Sequence, residues 1–186
     1  MTELYLNELE ALLSFGVCAA VAAIFLRTTP DNLRQREAWC RHKWAGLLLT
    51  LPSVLRCVPL AVPVSPDFLV PWLLPLAIVL PILCFFHIDA YAARGLALWL
   101  IVAAYGQIHT AFDCRIPGAA AVTVVCWLGG IAGIWLSAKP YLLRDALRLA
   151  AVRRTVRLVG GGFAGVLAVT SLYVLIMTIL AGGPRV

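Results

Sequence analysis

Apolar residues come in long runs separated by short charged intervals. Ala11 to Leu26 is sixteen residues without a charge, and Leu4 and Leu6 carry the apolar pattern further toward the N-terminus. Trp44 to Pro66 follows, interrupted only by Arg56. Phe68 to Ile88 gives twenty-one charge-free residues, Gly95 to Phe112 eighteen and Ile116 to Ala138 twenty-three, and Leu158 to Pro184 closes the series. A helix rises about 1.5 Å per residue, so roughly twenty residues cross the hydrocarbon core of a bilayer. The runs predict six spans, near residues 4–26, 44–66, 68–88, 95–112, 116–138 and 158–181. Together they form one all-α polytopic transmembrane helical bundle over residues 1–186.

Between spans five and six the pattern changes. Over residues 139–157, Leu142, Ala146, Leu149 and Val156 recur at helical spacing on one side, and Arg144 and Arg148 on the other. This predicts an amphipathic interfacial helix whose Arg144, Arg148, Arg153, Arg154 and Arg157 meet anionic lipid headgroups. Its last turn, with Arg153, Arg154 and Arg157, is charged nearly all round, which leaves the apolar stripe incomplete.

Composition agrees with a lipid environment. The chain is 62% hydrophobic and 13% charged, with a mean hydropathy of +0.94. Soluble domains carry roughly 25% charged residues. The net charge of +6 does not indicate nucleic acid, because the basic residues sit in short intervals between apolar runs. Arg27, Arg34, Arg36, Arg41 and Lys43 lie between spans one and two, Arg94 between three and four, and Lys139 with five arginines between five and six. Six spans put these twelve basic residues on one side, against Arg115 and Arg185 on the other. The positive-inside rule makes the rich side cytoplasmic and places both termini outside, as in a bacterial-type inner membrane. Glu3, Glu8 and Glu10, with no early Lys or Arg, are the reverse of a secretory signal.

Spans two and three hold Pro52, Pro59, Pro63, Pro66, Pro71, Pro75 and Pro81. Proline removes a backbone donor and lipid supplies no substitute, so these spans are expected to pack against other helices, kinked but crossing. The alternative is a re-entrant or discontinuous pair lining a substrate site. Trp44, Trp72 and Trp135 fall near span ends, where indole rings favour the interface. Gly129 with Gly133, and Gly161 with Gly165, are small-xxx-small pairs that let backbones approach closely.

Arg56 is the most informative residue. Counted from Trp44 it lies roughly 18 Å into the membrane, where a charge costs at least ~2.5 kcal/mol and must turn inward to a partner. On span four Tyr105, Gln107 and His109 reach a similar depth, and Tyr105, His109 and Asp113 share one helix face. The expectation is an intramembrane polar cluster of Arg56, Tyr105, Gln107 and His109 with Asp113 at its outer mouth. Its functional reading is a site for an anion, a quinone or a proton; its structural reading is an arginine tying helices together. Asp89 and Arg94 are expected to pair across the cytoplasmic turn, beside His87.

Other chemistry is thinly represented. His87 and His109 lie toward opposite faces, with about 22 Å of helix from Arg94 to His109, and cannot share a haem. The six cysteines, Cys18, Cys40, Cys57, Cys84, Cys114 and Cys126, form no CxxC motif and are read as small core residues. No serine elbow, HExxH helix or phosphate loop occurs, and neither cofactor nor metal site is expected. The leading expectation is therefore an accessory, assembly or anchoring subunit that works with a membrane-protein partner or as a homo-oligomer. The alternative is a small transporter or channel for an anionic or protonatable solute around Arg56. A membrane-embedded enzyme or quinone-binding protein comes third.

Overall fold

The computed structural model describes residues 2–181, with side chains from residue 5 onward. Arg185 lies outside the described residues. Among the described residues eight α-helices follow one another: α1 (Thr2–Leu26), α2 (Leu33–Cys40), α3 (Lys43–Ala61), α4 (Val70–His87), α5 (Tyr91–Asp113), α6 (Ala119–Ala138), α7 (Tyr141–Val152) and α8 (Arg154–Ala181). Short 3-10 turns, Pro30–Asn32 and Val62–Val64, precede α2 and follow α3. Among the described residues there is no strand. Six helices, α1, α3, α4, α5, α6 and α8, are long and apolar enough to cross a membrane.

α5 is the centre. Of its eighteen most apolar consecutive residues 61% are buried, against 11% in α3 and in α4. It packs on α6 and α3 most extensively, and also on α1, α8 and α2. The physical reason is its run of small residues, because lipid gives no hydrophobic drive between helices and association depends on close packing. A Cβ on Gly46 of α3 would lie 2.6 Å from the backbone of Tyr91, and one on Gly95 of α5 would lie 2.8 Å from the Gly46 carbonyl. Gly133 of α6 stands as close to the Ala97 carbonyl of α5.

α1 and α8 form the other main pair and run antiparallel. Gly161 meets Leu26 and Ala22 near one end, and Cys18 packs with Leu167 and Ala168 further along. Gly129 seats Leu167 of α8, so three of the four paired glycines accommodate neighbours in this same chain. Gly165 faces open space.

α2 and α7 lie together at one end of the bundle, joined by a two-pronged ion pair from Arg148 to Glu37. The two longest basic segments therefore share one end. α7 is amphipathic, but its buried stripe is Leu143, Leu147, Ala150 and Ala151, one position on from the expected Leu142, Ala146 and Leu149. The apolar arc is broad, and its centre faces the core while Leu142 and Leu149 stay exposed. The amphipathic segment also ends at Val152 rather than at 157. Arg153 is extended, and Arg154 and Arg157 begin α8. Leu143 clusters with Phe25, and Gly160 also abuts Phe25. One straight helix would set Leu143 and Gly160 some 25 Å apart, so the chain has to turn back between them.

The proline-rich helices are continuous through Pro52 and Pro59 in α3 and through Pro75 and Pro81 in α4. Contrary to expectation, they are the least enclosed of the six. α4 packs almost wholly on α3, and one buried bond assists it: the Tyr91 hydroxyl donates to the Pro81 carbonyl at 2.8 Å.

Candidate functional site

α1 and α3 hardly touch each other, and each leans on α5. A side-chain bridge spans the gap between them. Arg56 of α3 donates from Nε to Glu10 Oε2 at 2.9 Å and from Nη2 to Asn7 Oδ1 at 2.5 Å. Glu10 is only 8% exposed, and its other oxygen, Oε1, is buried with no hydrogen-bond partner. Both helices bring these groups to the same level well inside the apolar part of the bundle, where a lone charge is costly and a paired one is tolerated.

Gly106 of α5 makes room for the carboxylate. A Cβ there would lie 2.0 Å from Glu10 Oε1. One turn above and below Gly106 on the same helix, the floor changes character. Toward Asp113 it is polar, and toward Trp99 it is apolar apart from one indole N–H.

The polar side is a cleft of about 370 Å³ lined by Asn7, Arg56, Tyr105, His109, Thr110 and Asp113, together with Pro59, Leu60, Val102 and Gly106. The rings of Tyr105 and His109 stack obliquely, 4.3 Å between centroids. Tyr105, His109 and Asp113 are all exposed along this cleft. The apolar side is a second cavity of about 350 Å³. Arg56, Pro59 and Val102 belong to the walls of both.

Arg56, Tyr105, His109 and Asp113 thus border one cleft. Gln107, grouped with them by depth, does not. It points to the opposite side of α5, where its amide donates to Ser171 Oγ at 2.9 Å and its oxygen accepts from the Cys126 thiol at 3.6 Å. It ties α5 to α8 and α6 and is buried there. Depth alone cannot separate the two faces, since neighbours two apart on a helix point apart.

Glu10 and Asn7 are the partners that sequence reasoning missed. A signal was present. The charge-free run from Ala11 is too short to span, so the first helix had to extend back past Glu10, which brings that carboxylate to a depth matching Arg56.

Elsewhere, Asp89 and Arg94 are both exposed and no ion pair joins them. Ala90 between them adopts a left-handed conformation, φ 56°, and starts α5. His42 caps α3, its Nδ1 accepting from the Ala45 amide. Of the basic residues near α7, Arg148 is engaged by Glu37, Arg157 donates to the Thr28 carbonyl at 3.2 Å and Arg144 lies 3.6 Å from Asp145. Arg153 and Arg154 are exposed. The hydrogen bond from Arg148, aided by neighbouring positive charge, holds the Glu37 carboxyl below its ordinary value. Burial pushes the Cys40 thiol up to about 11. Among the described residues no cluster of three His, Cys, Asp or Glu could hold a metal ion.

Fold and composition place the chain in the class of multi-pass membrane proteins. Comparison with protein families, with curated proteins and with solved structures finds no match.

Proposed function

We propose that this protein binds a small anionic or protonatable solute at the Arg56 cleft and carries it across the membrane. One observation supports this above the rest. A part-buried Glu10–Arg56 ion pair lies between two spanning helices that otherwise hardly meet, and its arginine lines a polar cleft furnished with Tyr105, His109 and Asp113. An arginine serving only to tie helices would be expected to sit in a packed seam, not beside some 370 Å³ of open space. The positive-inside rule supports placing the α2 and α7 end in the cytoplasm, with the cleft opening outward and both termini outside.

The test is electrical. The full chain is reconstituted into liposomes on a solid support and challenged with acetate, benzoate, succinate and inorganic phosphate. At least one of these is expected to give a charge displacement that Arg56→Gln removes while the variant still folds. A response to none, or one identical in Arg56→Gln and wild type, overturns the reading.

A second reading is an accessory or anchoring subunit of an inner-membrane complex. It is favoured by α4, which packs almost wholly on α3 and presents the rest of its apolar circumference outward. Gentle detergent extraction followed by native mass spectrometry tests it: a stoichiometric partner supports this reading, and a lone monomer counts against it.

A further inference from the structure

We infer that the site takes up one proton with each anion it binds, and that Glu10 is the group that receives it. The inference rests on the Arg56 reading above and names the ion to which that binding is coupled.

The ion pair is lopsided. The Arg56 side chain keeps 22% exposure and lines the polar cleft, whereas that of Glu10 keeps 9% and stands behind it. An anion in the cleft therefore meets the cation and not the carboxylate. Empty, the pair holds one positive and one negative charge. A bound anion gives two negative charges to one arginine, among spanning helices where an unmatched charge is costly. The newcomer lies in open space and keeps part of its water. Glu10 has no such relief: its Oε2 is held by Arg56, and its Oε1 has no hydrogen-bond partner. A buried carboxylate whose partner is claimed by another anion escapes the cost of its charge by taking a proton.

The exchange balances. A carboxylic acid in the cleft breaks its O–H bond, an O–H bond forms on Glu10, and the new carboxylate takes the place of Glu10 on Arg56. An anion that arrives ionised draws the same proton from water in the cleft. The site is neutral before and after. Acetate or benzoate with its proton carries no net charge and succinate with one proton keeps a single negative charge, so the electrical test above should respond most to succinate.

Few other groups compete for that proton. On α3, Cys57 adjoins Arg56, and Lys43 lies at the far end of the helix. On α8, from Arg157 to Ala181, the one titratable side chain is Tyr173, whose hydroxyl donates to the Pro117 carbonyl at 2.6 Å. On α1 itself Tyr5, Glu8 and Cys18 are the described titratable neighbours. On α5, Tyr91 and Arg94 lie at the opposite end, while Tyr105, His109 and Asp113 line the cleft and are exposed. Water screens their charges, so their protonation follows the solution rather than the ligand. His109 is the rival acceptor, and the experiment separates it from Glu10.

The full chain in nanodiscs is titrated calorimetrically with acetate, benzoate, succinate and inorganic phosphate at pH 6, 7 and 8, in two buffers of different ionisation enthalpy. The dependence of the heat on buffer counts the protons taken up per bound anion. Wild type is expected to take up close to one, so its Kd rises by about tenfold per pH unit. Glu10→Gln, which mimics the protonated carboxyl, should lower the count by close to one and leave a Kd that changes less than threefold from pH 6 to pH 8. Phosphate titrates in this range itself, so for it the difference between the two chains is the readout. His109→Gln should keep the wild-type count whatever its affinity. An infrared difference spectrum should show a protonated-carboxyl band that appears on binding in wild type and not in Glu10→Gln. A count near zero, or one that vanishes with His109 and survives without Glu10, overturns the inference. If Glu10→Gln fails to fold, the counts in wild type and His109→Gln still decide it. Anions that bind in an Arg56-dependent manner without a proton leave the parent reading standing alone. If no binding is lost in Arg56→Gln, both readings fall.

Discussion

Gly106→Ala is the smallest change that strikes the site. The new methyl would lie 2.0 Å from Glu10 Oε1, 2.6 Å from Cδ and 2.7 Å from Oε2, whereas ordinary contact begins at 3.4 Å. The carboxylate therefore has to retreat by more than an ångström. For a free surface glutamate this would cost little. Here Oε2 is held at 2.9 Å by Arg56 and the side chain is buried, so the retreat stretches the bond toward the edge of hydrogen-bond range. A hydrogen bond to a charged group contributes about 1.5–3 kcal/mol. Alanine returns up to ~1 kcal/mol through its better helix propensity. Arg56 keeps Asn7, which limits the loss further. The net expectation is a destabilisation of about 1 kcal/mol, read by SDS titration of the folded protein in mixed micelles with circular dichroism. Glu10→Asp draws the carboxylate back by one methylene, about 1.5 Å. Combined with Gly106→Ala it should be less harmful than the two single effects added, by at least ~0.5 kcal/mol. A neutral or stabilising Gly106→Ala, with strict additivity in the double variant, would refute the geometry argued for the pair.

Three further outcomes are expected. Gly46→Ala places a methyl 2.6 Å from the Tyr91 backbone, which cannot swing away. It should destabilise by about 1–3 kcal/mol as α3 lifts from α5, and the same titration measures it. Glu37 has a lowered carboxyl pKa through its bond to Arg148, so its contribution is complete above the ordinary value of 4.5 and is lost as pH falls through the lowered one. A stability profile from pH 7 to pH 3 should show this acid loss in wild type and a shallower one in Glu37→Gln; identical profiles would remove the pair's role in docking α7. The Cys40 thiol, buried and pushed up to about 11, is almost entirely protonated at pH 8. N-ethylmaleimide should leave it unlabelled in the folded protein and label it in SDS, and rapid labelling before unfolding contradicts its place under α7.

The spans were the most legible part of the chain. Charge-free runs of about twenty residues admit little else, and each coincides with a long helix. Helix neighbours were not legible, because an apolar stretch is equally at home against lipid and against protein. The proline-rich α3 and α4 looked like interior helices and are the least enclosed, while α5, with its polar Gln107 and its many alanines and glycines, is the hub. Small residues rather than apolar ones mark the centre where lipid is the solvent. The site was half legible. Depth counting found Arg56 and the face bearing Tyr105, His109 and Asp113, but not Glu10, which lies inside the predicted first span near residues 4–26 although the depth of Arg56 was matched only against span four. The α7 stripe was displaced by one position because an apolar arc that broad has no unique centre.

The pairing of α1 with α8 has a consequence for how the protein is made. More than a hundred residues of chain separate these partners, so during synthesis α1 enters the bilayer long before the helix that covers most of its inner face exists. Lipid does not drive it away in the interval, but it does not hold it in register either. The Arg56 bridge can form as soon as α3 has inserted. A contact that is local in order of appearance, and costly to break because it would leave the buried Glu10 carboxylate without its partner, keeps α1 docked beside the growing bundle until α8 arrives. Nascent chains arrested before residue 154 should therefore need Glu10 and Arg56 to keep α1 in place more than the finished protein does.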